Sequence, residues 1–420
     1  MALAQPAPSV QQDRQDSWAQ IGDPLADQVV LALRRTGDRQ RDMLDQVREH
    51  AATEGGVFQD FWDQVHEQPE GLNQADLVAG QELFMRCAPL SIASFVLCTL
   101  PLTYTPPGSA KVLVHTGRLR QDVLKRLYET ATMVQAIMSP GGMQIGHAGH
   151  HAILRVRLLH AMVRQGVLSH GHWPQAELGQ PINQLQLSLT ALGFSGVILR
   201  SLDKLGVAIS PSERQSYQQL WRYANTLQGV ATPLLPKTES DELQLLDSYT
   251  GKVIAPNDDS RTLTHSIFDA LAGQAPFYLP KGALHAISRL LLGRRLADQL
   301  AIPERPFWTL SLRVVSTVHR WSAFRYAIPG WRAMEVRAGR RYFDRLIEQG
   351  LQGLPAYQQG ADKTSKKAVS PHCFSGYETS ITPKRCAPRN QAASPKMDGR
   401  VKSDPYQLTR SPPSRTDAQK

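Results

Sequence analysis

Apolar residues along this chain recur at three- and four-residue intervals, the period that lays one face of a helix against a core. The clearest case is residues 118–138, where Leu119, Val123, Leu127, Thr130, Ala131, Val134 and Met138 share a face, Gly117 precedes them and Pro140-Gly-Gly142 ends the run. The same spacing predicts helices over residues 24–52, 81–100, 151–167 and 181–205. It continues over 211–229, with Ser210 as N-cap and Pro211 in the first position. Further helices are predicted over 262–271, 282–300 and 306–349, the last broken at Pro329-Gly330. No stretch alternates with the period of a strand and no internal repeat occurs, so the class is all-α.

The length, 420 residues with 41% hydrophobic, supports one large helical domain, expected over residues 16–353. Residues 1–15 are rich in Pro, Gln and Ala, and residues 354–420 are polar, basic and rich in Ser and Pro; both are predicted to be disordered. That tail changes the meaning of the net charge of +10, because residues 362–420 carry 12 Lys/Arg against 5 Asp/Glu. The body is close to neutral, which argues against a nucleic-acid surface. Cys87, Cys98, Cys373 and Cys386 form no CxxC pair and no zinc-site spacing. Residues 88–104 are nearly continuous in apolar and small side chains, yet the run is short for a bilayer span and contains Pro89 and Pro101, so a buried helix is expected. The first residues show no basic or apolar export signal, which makes the cytoplasm the expected location.

Candidate chemistry gathers on two of the predicted helices. On residues 151–167, Ala152, Val156, Leu159, His160, Val163 and Val167 share a face, which surrounds the His160 imidazole with groups that cannot hydrogen-bond it. A buried imidazole needs a partner, and two readings stay open: a satisfied core histidine or a metal ligand. On residues 118–138, Arg126 and Thr130 stand four apart, Thr130 within the apolar face and Arg126 at its edge. The hydroxyl can donate to a bound oxygen species or bond back to its own helix, and the guanidinium can pair with a cofactor carboxylate or face solvent. His147, His150 and His151 follow a Gly-rich stretch and are expected in a solvated loop rather than at a metal.

Gly117-Arg-Leu-Arg120, Arg126-Leu-Tyr-Glu-Thr130, Arg155-Val-Arg-Leu-Leu-His-Ala161, Pro181-Ile-Asn-Gln184, Leu202-Asp-Lys-Leu-Gly206 and Trp221 form an ordered series. Over roughly residues 84–300 that series resembles the latex-clearing protein (rubber oxygenase) and MpaB-type oxygenase superfamily. The resemblance implies an all-α fold with a globin-like core holding one b-type haem. It makes His160 the proximal ligand of the haem iron and puts Arg126, Glu129 and Thr130 at catalytic positions on the opposite helix. Arg126, Arg155 and Arg157 are then the cofactor-binding arginines. Two departures stand out. Well-known latex-clearing proteins carry a lysine immediately before the matching threonine, and this chain has Glu129. Those proteins also carry a distal acid upstream, whereas no Asp or Glu occurs between Leu83 and Gln121 here.

The expected function is therefore haem-dependent oxidative cleavage, with O2, of carbon–carbon double bonds in a hydrophobic isoprenoid substrate to carbonyl products. A helical protein of the same fold that has lost catalysis and binds a hydrophobic ligand is the alternative. A dinuclear carboxylate bundle is disfavoured, because paired Glu-x-x-His motifs are missing.

Overall fold

Short polar side chains ahead of apolar runs start many of the helices, by accepting hydrogen bonds from amides that have no partner inside the helix. Asp23 caps α1 (Pro24–Thr36), Asp42 caps α2 (Met43–Thr53), and α3 (Val57–His66) follows. Asn73 caps α4 (Gln74–Arg86). Helix α5 (Ala88–Ser94) runs through a π-helical stretch, Phe95–Thr99, into α6 (Leu100–Thr103), and α7 (Pro107–His115) comes next. The central part of the chain forms α8 (Val123–Met138), α9 (Ala148–Ser169), α10 (Gln175–Leu178), α11 (Gln184–Phe194) and α12 (Gly196–Lys204). Ser210 and Glu213 close a full capping box on α13 (Pro211–Leu227), and α14 (Glu239–Ser248) follows. The last helices are α15 (Asp258–Leu271), α16 (Lys281–Leu292), α17 (Arg294–Gln299), α18 (Pro306–Trp321) and α19 (Trp331–Gln352).

This computed structural model describes residues 17–38, 41–69, 71–115 and 123–352. They all belong to the compact unit Met1–Ser380. The predicted termini, 1–15 and 354–420, and the Gly117-Arg-Leu-Arg120 block lie outside the described residues. No strand occurs among the described residues, in agreement with the all-α expectation.

Several predicted helices are divided. Gly37, at φ 80°, ends α1 within the 24–52 run. Ser195, at φ −95° and ψ −103°, separates α11 from α12. Residues 184–194 of the 181–205 run are buried on nearly every side, so the hydrophobic period there carries no sign of that break. The sequence Gln184–Lys204 is long and apolar enough to cross a bilayer, but 89% of its most apolar window is buried inside the protein. Residues 88–103 are likewise a buried core element, with Leu97 and Cys98 enclosed. Burial pushes the Cys87 and Cys98 thiols up to about 11, which makes both unreactive.

The core is assembled around two stacks. Helix α4 packs against α13 and α19, and Gly80 permits the first contact, since a Cβ there would stand 2.8 Å from the Ser216 carbonyl oxygen. Helix α9 packs against α1, α8 and α13. A buried ion pair ties this second stack together: Arg157 Nε donates to Asp23 Oδ2 at 2.7 Å, and both side chains are almost wholly enclosed. The same guanidinium donates to Asp23 Oδ1 at 3.1 Å, to Gln64 Oε1 at 2.8 Å and to the Leu227 carbonyl at 3.4 Å. It also lies 4.9 Å from the centre of the Phe61 ring. One side chain of α9 thereby joins α1, α3 and the C-terminus of α13.

Removing one member of a buried pair leaves the other charge without compensation, at a cost of about 3–5 kcal/mol. Asp23→Ala is expected to lose about that much in urea unfolding, cap included. Asp23→Asn, which retains a capping oxygen, should lose less.

Candidate functional site

Helix α9 starts where two backbones touch. A Cβ on Gly149 would lie 2.8 Å from both the Ala136 and the Gly142 carbonyl oxygens, so glycine lets the first turn of α9 abut the end of α8. This places His150 in the interior instead of the solvated loop expected from the Gly-rich sequence. Its Nε2 lies 2.9 Å from the Val65 carbonyl oxygen, and its Nδ1 accepts from the Gly146 amide at 3.4 Å. These contacts define the neutral tautomer with the proton on Nε2. Among the described residues no group of three or more His, Cys, Asp or Glu could hold a bare metal ion.

Two and a half turns further along, His160 is half-buried. Desolvation by burial, then the charges of Arg164 and Arg126, push its pKa down to about 4. Desolvation dominates that shift, and the side chain nevertheless keeps part of its surface accessible. The neighbours on its face agree: Val156, Leu159 and Val163 are half-buried too, as are Leu124, Leu127 and Ala131 on α8. His160 Nδ1 lies 3.2 Å from the Gln228 amide nitrogen, and Nε2 makes no hydrogen bond among the described residues. Gln228 directly follows α13, whose end Arg157 grips. Since an amide can turn over, Gln228 can present either a donor or an acceptor to Nδ1.

Arg126, Glu129 and Thr130 occupy α8, the helix packed beside α9. Arg126 is half-buried and close enough for its charge to act on both His160 and the buried Tyr104 phenol. Its guanidinium forms no hydrogen bond or ion pair among the described residues. Thr130 uses its hydroxyl proton on the Arg126 carbonyl at 2.9 Å, the back-bonding arrangement. Glu129 Oε1 lies 4.0 Å from Lys125 Nζ, and its side chain is 13% exposed, so the carboxylate is sheltered yet reachable.

The expectation that Arg155 and Arg157 bind a cofactor meets two guanidinia engaged elsewhere. Arg155 Nε donates to Asp42 at 2.7 Å, which ties α9 to the start of α2. Arg157 spends its donors on Asp23, Gln64 and Leu227. The physical reason is spacing within a crowded bundle: at positions five and three before His160, these side chains meet the capping aspartates of α1 and α2. Arg164 behaves similarly, donating to Asp27 at 2.6 Å and to the Pro181 and Ile182 carbonyls. The sequence reading missed Gln228 and Tyr104. Nothing in local spacing marks either, because Gln228 stands 68 residues beyond its imidazole. Separately, Thr264 on α15 and His285 and Ser288 on α16 are buried polar side chains with no hydrogen-bond partner among the described residues.

Comparison with known proteins identifies the family and the fold. Residues 83–325 match the family described as ER-bound oxygenase mpaB/B'/rubber oxygenase, catalytic domain. The chain is 21% identical over 304 residues to the rubber oxygenase of Streptomyces sp. (strain K30), covering 68% of this chain and 72% of that protein. In fold it resembles the latex clearing protein LCP solved in the closed state, with a TM-score of 0.61 and 17% identity over 77% of this chain and 90% of that one.

His150, His160 and His285 are each held near pKa 4, in every case first by desolvation, against 6.5 for an ordinary imidazole. The unfolded chain therefore takes up protons below pH 6.5 that the folded chain refuses until about pH 4. Stability should be full above about pH 6.5 and decline as pH falls toward 4. For the enclosed His150 and His285 the loss is on the order of 3 kcal/mol each. Urea unfolding across this pH range should show the decline, and His285→Phe should flatten it.

Proposed function

Because the chain belongs to the family of ER-bound oxygenase mpaB/B' and rubber oxygenase catalytic domains, we propose that it is a b-type haem-dependent oxygenase. Its reaction in this reading is cleavage of carbon–carbon double bonds of a hydrophobic isoprenoid, with O2, to carbonyl products. The observation that carries the reading is His160: neutral, desolvated, bonded at Nδ1, without a hydrogen bond at Nε2 among the described residues, and within electrostatic reach of Arg126, whose guanidinium has no partner among them. These residues fit a haem. A haem asks its protein for a single neutral imidazole with its outer nitrogen held, and for a cation near its carboxylates.

In this reading His160 holds the iron through Nε2, which requires the proton on Nδ1 and the Gln228 amide turned to accept it. The depressed pKa keeps the imidazole available as a ligand throughout the physiological range. When bound, the haem supplies the dioxygen chemistry. Arg126 offers its unpaired charge to a propionate or to a polar group on the substrate. Leu124, Leu127, Ala131 and Val156 form an apolar wall that favours an olefinic chain and excludes water. Glu129 supplies a carboxylate that can receive a proton from the substrate, in a chain that lacks acids between Leu83 and Gln121. Thr130 can donate to a bound group only by rotating away from the Arg126 carbonyl. Arg155 and Arg157 act as positioning residues that fix α9, and Arg157 also fixes the end of α13 that bears Gln228.

The test is product analysis of the haem-loaded protein with polyisoprene and with short isoprenoids under O2. Carbonyl products are expected, with short chains at least as good as the polymer. Glu129→Gln should lower kcat by roughly 100-fold with haem content unchanged, the size of effect expected of a general base. Haem-loaded protein that yields no carbonyl from any chain would instead support a catalytically silent hydrophobic-ligand protein.

A further inference from the structure

Helix α18 is amphipathic in an unusual direction. Its inner face rests on the body: Leu312 packs against the core, the Ser316 carbonyl lies over Gly206, and His319 Nδ1 is 3.2 Å from the Leu205 carbonyl oxygen. Its outer face carries Phe307, Leu310, Val314, Val318 and Trp321, which recur at three and four residues, and Phe324 continues the row just beyond. These side chains are between 57% and 78% exposed, Trp321 most of all. Singly exposed apolar residues are ordinary, whereas a contiguous stripe of six, half of it aromatic, marks a contact surface.

The charges around the stripe select its partner. Helix α18 contains Arg313, His319 and Arg320 and no Asp or Glu. Residues 305–345 hold nine arginines against Glu335 and Asp344. Arg313 is exposed and forms no ion pair or side-chain hydrogen bond among the described residues. A second copy packed symmetrically on this helix would set Arg313 and Arg320 against their own counterparts, with no acid on the helix to answer them. An anionic lipid headgroup layer answers them directly, and long arginine side chains can bury their stems while their heads stay at the headgroups. At 16 residues the helix is about 24 Å long, too short and too charged to cross a bilayer.

We propose that α18 is an interfacial helix that seats this protein on an anionic bilayer, lying in the membrane plane with Phe307, Leu310, Val314, Val318, Trp321 and Phe324 in the headgroup–acyl boundary. This stands on the surface of the molecule alone and is independent of the chemistry at His160.

The experiment is co-sedimentation of the full chain with phosphatidylcholine vesicles, with and without phosphatidylserine. The basic stretch 362–420 can also attract anionic vesicles, but purely electrostatic attraction is screened by salt. Wild-type protein should bind the phosphatidylserine vesicles and keep much of that binding in high salt. The triple variant Leu310→Glu, Val314→Glu, Val318→Glu should lose salt-resistant binding by roughly tenfold or more while its circular dichroism and melting temperature stay unchanged, as befits exposed positions. Arg313→Gln with Arg320→Gln should weaken the preference for phosphatidylserine. Brominated lipids should quench wild-type fluorescence more than that of Trp321→Phe. The proposal is overturned by wild-type protein that binds neither vesicle, by binding that the triple variant retains in full, or by a dimer that the triple variant converts to monomer without loss of vesicle binding.

Discussion

The buried pair of Arg157 and Asp23 organises the centre of this molecule. Asp23 caps α1 with one oxygen and takes the guanidinium with both, and Arg157 reaches onward to Gln64 and to the last carbonyl of α13. Four helices are thereby held in register by two side chains. The pair is costly to desolvate, so its value lies less in net stability than in the unique arrangement it selects among possible helix packings. Its most important consequence sits one residue beyond the carbonyl it grips: Gln228, the hydrogen-bond partner of His160. The orientation of the imidazole is thus set from α13 through an interaction rooted in α1.

This changes the meaning of the arginines ahead of His160. In sequence they form one compact motif with the histidine and invite a shared role as contacts to a charged cofactor. In space Arg155 meets Asp42 and Arg157 meets Asp23, the residues that cap α2 and α1. The cation within electrostatic reach of His160 comes from the neighbouring helix, as Arg126. Among the described residues this guanidinium has no partner, so together with the desolvated neutral imidazole it offers a positive charge and a lone pair. The proposed haem would answer both.

The hydrophobic period made the helices legible, and the Ser210-Pro211 signal located the start of α13 to the residue. It also put His160 and Thr130 on inward faces with Arg126 at an edge, while the family resemblance set their helices opposite each other. It could not distinguish a fully buried face from a partly accessible one, because both read as the same apolar stripe; Val156, Leu159 and Val163 are half-buried where full burial was expected. It could not see the break at Ser195, which follows a helix buried on nearly every side, nor the close approach at Gly149 that buries His150. Gln228 was invisible for a simpler reason: tertiary contacts across 68 residues leave no mark on local spacing. The exposed row on α18 shows the converse limit, since its period marks a helix but not that its apolar face looks outward.

The central claim is that His160 is an axial ligand presented by Gln228, and the absorption spectrum of the protein produced with ample haem tests it most directly. The account predicts a Soret band that His160→Ala abolishes and that Gln228→Leu shifts or weakens without unfolding the protein. A protein that folds, shows the expected helicity and acquires no Soret band, or one whose band is indifferent to His160→Ala, would contradict it.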